Sequence, residues 1–193
     1  MMVNWKLDLR LIALIELFIG ALMGVPTIMA AFLGESDALF GFGVTYLATT
    51  LFCAAILIGT AKPATKSFYT RDGFFVVTLT WIAAAAFSAL PLYVSRSLPD
   101  YSSAFFEMMS GFTTTGATTL SEIESLPRSI LFWRSQTNWL GGMGIVVLFV
   151  ALLPALGVTG TMLVGAESVG PTKDKLTPKI KTTALLLWTI YVG

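Results

Sequence analysis

Five threonines and two glycines fall in one ten-residue stretch, Gly111 to Leu120, which reads G-F-T-T-T-G-A-T-T-L. Hydroxyls and main-chain carbonyls are hard, neutral oxygen donors, and without a carboxylate among them they suit an alkali cation better than a divalent one. A β-branched side chain favours extended backbone, so Thr113-Thr114-Thr115 is expected to run extended. Gly116 permits backbone angles closed to other residues, which would let successive carbonyls, through Ala117, turn toward one axis. Glu122 and Glu124 follow just outside and would raise the local cation concentration. The competing reading is a polar turn between two helices.

Other chemistry is thinly supplied. The chain has no histidine, which removes His-based general base catalysis and most zinc sites. Its one cysteine, Cys53, lies in an apolar run and reads as a small packed residue. A threonine nucleophile needs a base, and only Glu107 or a lysine is available, none placed beside the run by spacing. The sequence therefore reads as a non-enzyme with no directly bound cofactor.

The elements that must carry this stretch are made for lipid. The chain of 193 residues is 55% hydrophobic and 12% charged, with mean hydropathy +0.80, whereas a soluble domain carries roughly 25% charged residues. The expected fold is an all-α integral membrane protein. A net charge of +1 implies no nucleic-acid partner. A spanning helix needs about 20 mostly apolar residues, and Leu11–Leu33, Ala38–Ala61 and Phe74–Ser95 qualify. A fourth begins after Pro127, a favoured first-turn residue, and Pro154, Gly157 and Gly160 should end it. The first segment is too long for the core of a cleaved signal and reads as a retained helix. The last apolar stretch, 178–193, spans roughly 24 Å at about 1.5 Å per residue, short of a core of about 30 Å; the expectation is a fragment of something longer.

Basic residues in short loops mark the cytoplasmic side. Lys6 and Arg10, then Lys62, Lys66 and Arg71, then Lys173, Lys175, Lys179 and Lys181 alternate with acidic loops holding Glu35 and Asp37, and Asp100, Glu122 and Glu124. The N-terminus is thus expected inside, and the region from Asp100 to Glu124 must enter and leave by one face. It is read as re-entrant. Tyr101–Phe112 is helix-compatible but only about 18 Å long, with Asp100 as its N-cap and Gly111 near its end. Its carbonyl end, the negative pole of the helix dipole, would face an ion. Non-helical backbone at membrane depth is tolerated only where protein or a water-filled path lies beside it, and bare carbonyls there call for a ligand such as a dehydrated cation.

These residues resemble a known family. F-F-E-M-M-S-G-F-T-T-T-G-A-T-T-L, followed by L-P-R-S-I-L-F-W-R-S-Q-T-N-W-L-G-G-M-G-I, is similar to the first pore repeat of the Trk/Ktr/HKT superfamily of potassium transporters, nearest the bacterial TrkH type of membrane subunit. G-A-E-S-V-G-P-T-K-D-K-L-T-P-K-I-K-T-T-A-L-L-L-W-T-I-Y is similar to that family's link into its second repeat. The resemblance implies an N-terminal helix hairpin at 1–61 and a first pore repeat at 62–156. That repeat would comprise an outer helix 74–95, a pore helix 101–112, a filter 113–117 and an inner helix 128–155. A cytoplasmic or interfacial linker 157–177 and a truncated first helix of the second repeat, 178–193, would follow. It implies potassium uptake across the bacterial inner membrane, four repeats around one pore, a homodimer, and regulation by a cytoplasmic nucleotide-binding ring of the TrkA kind. By motif match, Thr114, Thr115, Gly116 and Ala117 would bind K+ as one quarter of a selectivity filter, with Thr113 at its inner entrance. In plant relatives a serine in place of this glycine goes with sodium preference, so Gly116 matches the potassium form. Repeats two to four are missing, and the alternative reading is a non-conducting assembly subunit or a piece inactive without them.

Two ionisable residues inside the apolar region need partners. Glu107 on the pore helix and Arg134 early in the next span are expected to pair and brace the filter, the alternative being that Arg134 snorkels outward beside Arg128. Glu16, about a turn and a half above Arg10, is read as snorkelling to the inner face, the alternative being a role in transport. Gly141, Gly142 and Gly144 are read as close-packing positions, the alternative being a hinge, and Trp5, Trp133, Trp139 and Trp188 as a set that includes interface anchors.

Overall fold

The computed structural model of the chain describes residues 5–61, 70–152 and 189. The loop lysines Lys62 and Lys66, the linker 157–177, the lysine-bearing tail and nearly all of the 178–193 helix lie outside the described residues. Among the described residues six helices follow in order: α1 Trp5–Leu22, α2 Gly24–Leu33, α3 Ser36–Gly59, α4 Thr70–Val94, α5 Tyr101–Phe112 and α6 Arg128–Leu152, with a 3-10 turn at Ile123–Ser125. Among the described residues there is no strand. Trp5–Leu33, Ser36–Gly59 and Asp72–Val94 are long and apolar enough to cross a membrane.

The first of these spans is not one helix, as Leu11–Leu33 reads in sequence, but two joined at Met23. Pro26 explains the break. It has no N–H for the carbonyl of Leu22 four residues earlier, and its ring crowds that carbonyl, whereas in the first turn of α2 the same proline is tolerated. The stranded Leu22 carbonyl accepts a hydrogen bond from Gln136 Nε2 of α6 at 3.1 Å. Gly34 then ends α2 in the left-handed conformation (φ 70°), as helix C-termini favour, and Glu35 leads into α3.

α3 returns against α1 and α4. Gly41 lets two backbones touch: a β-carbon there would lie 2.8 Å from the Pro91 carbonyl oxygen of α4. Pro91 sits inside α4, and carbonyls just before it take side-chain donors from other elements. Tyr101 Oη donates to the Ala86 carbonyl at 2.9 Å, and Trp133 Nε1 to the Ser88 carbonyl at 3.1 Å. Trp133 is fully buried, a core residue and not an interface anchor. Trp5 is exposed and packs edge-on against Phe75. The short helix α5 wedges between α4 and α6, burying Met108 and Phe112 beside Ile130 and Trp133.

Candidate functional site

The loop after α5 is positioned from both ends of that helix. At the start, Asp100 accepts from the Ser103 N–H at 2.8 Å and the Ser103 hydroxyl at 2.8 Å. The Ser103 N–H, then its hydroxyl, hold the Asp100 carboxyl below the usual aspartate range. With 12 residues α5 is about 18 Å long, well short of a hydrocarbon core of about 30 Å, and the chain turns back on itself.

The turn is made by hydrogen bonds from the loop to the end of the helix. The N–H of Thr113 donates to the Met109 carbonyl at 2.9 Å, that of Thr114 to Gly111 at 2.9 Å, that of Thr115 to Ser110 at 3.0 Å and that of Gly116 to Ser110 at 3.4 Å. The carbonyl end of α5, expected to face an ion directly, is covered first by these N–H groups. In a planar trans peptide the C=O points opposite to the following N–H. The carbonyls of Thr113, Thr114 and Thr115 are therefore turned away from α5, toward the side on which residues 113–119 are exposed. Ala117 differs: its carbonyl accepts from Ser110 Oγ at 2.7 Å.

The backbone is not the extended run that β-branching predicts. Thr113 has φ −81° and ψ 1°, and Thr114 lies in the left-handed region at φ 55°. Such a conformation costs a non-glycine residue about 1–3 kcal/mol, and the demand to satisfy the last carbonyls of α5 overrides side-chain preference. Gly116, at φ 73°, takes its left-handed conformation without that cost, and nothing lies within 4 Å of where its β-carbon would be. Thr113 Oγ1 bonds the Met109 carbonyl at 2.8 Å and lies 2.9 Å from Thr115 Oγ1.

The exit limb is fixed by one carboxylate. Glu107, 1% exposed, accepts on Oε1 from Thr118 Oγ1 at 2.7 Å, from the Thr119 N–H, and from Thr119 Oγ1 at 3.2 Å. On Oε2 it accepts from Arg134 Nε of α6 at 2.7 Å. Arg134 thus turns inward rather than snorkelling beside Arg128. Two glycines set the distance between α5 and α6. A β-carbon on Gly111 would collide with Thr137 Oγ1, and one on Gly141 with the Phe112 carbonyl. Close packing describes Gly141, whereas Gly144 breaks the helix (φ 68°, ψ 143°), so the glycines expected to act alike do different things. Glu122 and Glu124 flank the exit in an exposed segment with the Ile123–Ser125 turn.

Sequence reading missed Glu35. Its carboxylate accepts from the N–H of Arg128 at 2.8 Å, the N–H of Ser129 at 3.1 Å and the Ser129 hydroxyl. The loop of the N-terminal hairpin thereby caps the start of α6. Ser110, which holds the Ala117 carbonyl, was also missed; no local signal marks either. Glu16 is 1% exposed, buried rather than snorkelling. Among the described residues no group of three or more His, Cys, Asp or Glu could hold a metal ion.

A family model described as TrkH, cation transport protein, matches residues 45–193. The Trk system potassium uptake protein TrkH of Halomonas elongata is 43% identical over 188 residues, covering 96% of this chain and 39% of that protein. The Trk system potassium uptake protein TrkG of Escherichia coli is 40% identical over 174 residues, covering 86% of this chain and 35% of that protein. The crystal structure of the potassium transporter TrkH from Vibrio parahaemolyticus matches with a TM-score of 0.75 at 30% identity, over 98% of this chain and 37% of that one. The chain spans less than two fifths of the length of these relatives.

Proposed function

Because the chain belongs to the TrkH family of cation transport proteins, we propose that it supplies one quarter of the potassium-selective pore of an uptake transporter. The observation that carries this reading is the pattern of loop N–H bonds. With the N–H groups of Thr114, Thr115 and Gly116 tied to α5, the carbonyls of Thr113, Thr114 and Thr115 are left to replace the hydration shell of a passing K+. Gly116 continues the row. Ala117, its carbonyl engaged by Ser110, closes the loop rather than donating equally. Glu107 and Arg134 support the filter by holding its exit limb against both neighbouring helices, and Glu122 and Glu124 concentrate cations at the mouth.

One loop lines only part of a ring, so the function belongs to the complete transporter. It contains an N-terminal hairpin (1–61), the first repeat (62–156), a linker (157–177) and the start of a second repeat (178–193), with further repeats completing the pore. It works as a homodimer in the bacterial inner membrane, N-terminus in the cytoplasm, under a cytoplasmic nucleotide-binding ring. The relatives named above are potassium transporters, and in this reading no bond is made or broken.

The test is Gly116→Ser in the complete transporter, with rubidium and sodium flux measured in proteoliposomes. A side chain at this positive φ strains the row, and rubidium over sodium selectivity should fall at least about tenfold, the equivalent of about 1.4 kcal/mol. Unchanged flux and selectivity would remove the filter assignment.

A further inference from the structure

Glu16 lies in α1 on the side packed against α3, and its Oε1 has no hydrogen-bond partner. The groups around it are neutral or remote. From α3, Cys53 is fully buried. One turn earlier in α3, Thr49 is buried with its own Oγ1 unpartnered. The helices are tight here, since a β-carbon on Gly20, one turn beyond Glu16, would sit 3.8 Å from Thr49 Cγ2. On α1 itself Asp8 faces Asp72 of α4, and Arg10 donates to the Thr60 carbonyl at 3.3 Å. α2 has no titratable side chain, and α4 carries Arg71, Asp72 and Tyr93 only at its two ends. Among the residues whose side chains are described, no basic group pairs with Glu16.

An isolated carboxylate in an apolar interior loses the hydration that stabilises its charge, and such a group neutralises instead. An ionisable residue at this position in a membrane helix marks a functional site. We propose that Glu16 is a proton-binding site of the N-terminal hairpin, at which H+ serves as the counter-ion that no described side chain supplies. Loss of that proton would place a full charge between α1 and α3. The same hairpin is tied to α6 by Gln136 at the Leu22 carbonyl and by Glu35 at the α6 N-terminus.

Two measurements on the complete protein in lipid nanodiscs test the assignment, and neither depends on ion conduction. Infrared spectra at neutral pH should show a protonated-carboxyl band of which one component disappears in Glu16→Gln and persists in Glu16→Asp. A band unchanged in Glu16→Gln overturns the proposal. In the unaltered protein, dicyclohexylcarbodiimide, which attacks protonated carboxyls in apolar surroundings, should modify Glu16 more than tenfold faster than Glu107. Its rate at Glu16 should fall as the pH is raised. Labelling of Glu16 no faster than that of Glu107 overturns the proposal as well.

Discussion

Glu107 and Glu16 are equally hidden, each 1% exposed, yet one is saturated and the other keeps a buried oxygen without a partner. Glu107 accepts from two threonine hydroxyls, a main-chain N–H and an arginine, whereas Glu16 Oε1 accepts from nothing. Burial alone does not decide the fate of a carboxyl; its partners do. The difference extends to the regions around them. In the pore-loop region, hydrogen bonds run from α5 through the loop to α6. In the N-terminal hairpin, apolar side chains and small residues do the packing, and Asp8, Glu16 and Thr49 keep buried oxygens without partners.

The comparison breaks most visibly at the ion pair. Glu107→Ala strands a half-buried guanidinium, and Arg134→Ala strands a buried carboxylate; removing one partner of a fully buried pair costs about 3–5 kcal/mol, an upper figure for this one. Either change should lower the unfolding temperature sharply and abolish rubidium flux. Glu107→Ala should cost more, because Thr118 and Thr119 lose their acceptor with it. Glu16→Gln, which keeps a neutral group of the same shape, should cost far less. Thermal melts of the three variants in detergent provide the check. Equal losses for Glu107→Ala and Glu16→Gln would erase the distinction between the two carboxyls.

A second contrast uses one substitution in both regions. Gly141→Ala drives a methyl group into the Phe112 carbonyl at the base of the loop; overpacking of this kind costs about 1–3 kcal/mol and should displace the loop. Gly43→Ala, in α3, meets nothing within 4 Å and should stabilise by about 0.5–1 kcal/mol through helix propensity. The paired melts should move in opposite directions, with flux lost only in Gly141→Ala. Matching shifts would show that the backbone contact at Gly141 carries no special weight.

What could be read from the sequence divides along the same physical line. The all-helical membrane architecture was legible because apolar length and charge scarcity are properties of whole segments. The N-cap at Asp100 was legible because Ser103, its partner, is three residues away. The break at Met23 was within reach, since Pro26 deprives Leu22 of its donor by a local rule, but the apolar run concealed it. Thr114 was not legible: β-branching argues for extension, and the left-handed turn follows from the needs of the α5 carbonyls. Nor could sequence separate Gly141, pressed on a carbonyl, from Gly144, which bends the helix. Contacts at long separation, Glu35 to Arg128 above all, leave no mark in either segment.

That last contact yields the smallest predicted effect and the most direct test of whether the two regions act separately. Glu35 is a carboxylate from the hairpin at the positive end of the α6 dipole, bonded to the first N–H groups of that helix. An N-cap is worth about 0.5–2 kcal/mol and a favourable charge at that end about 0.3–1 kcal/mol at the surface. Glu35→Ala should therefore cost about 1 kcal/mol, and Glu35→Gln, which retains an acceptor without the charge, roughly half as much. Hydrogen exchange reads the effect locally: the Arg128 and Ser129 amides should exchange several-fold faster in Glu35→Ala, while the Thr115 amide, anchored on Ser110, keeps its rate. If Arg128 and Ser129 exchange unchanged, the hairpin does not hold α6. If Thr115 quickens with them, the tether reaches the loop after α5, and the N-terminal hairpin belongs mechanically to that loop.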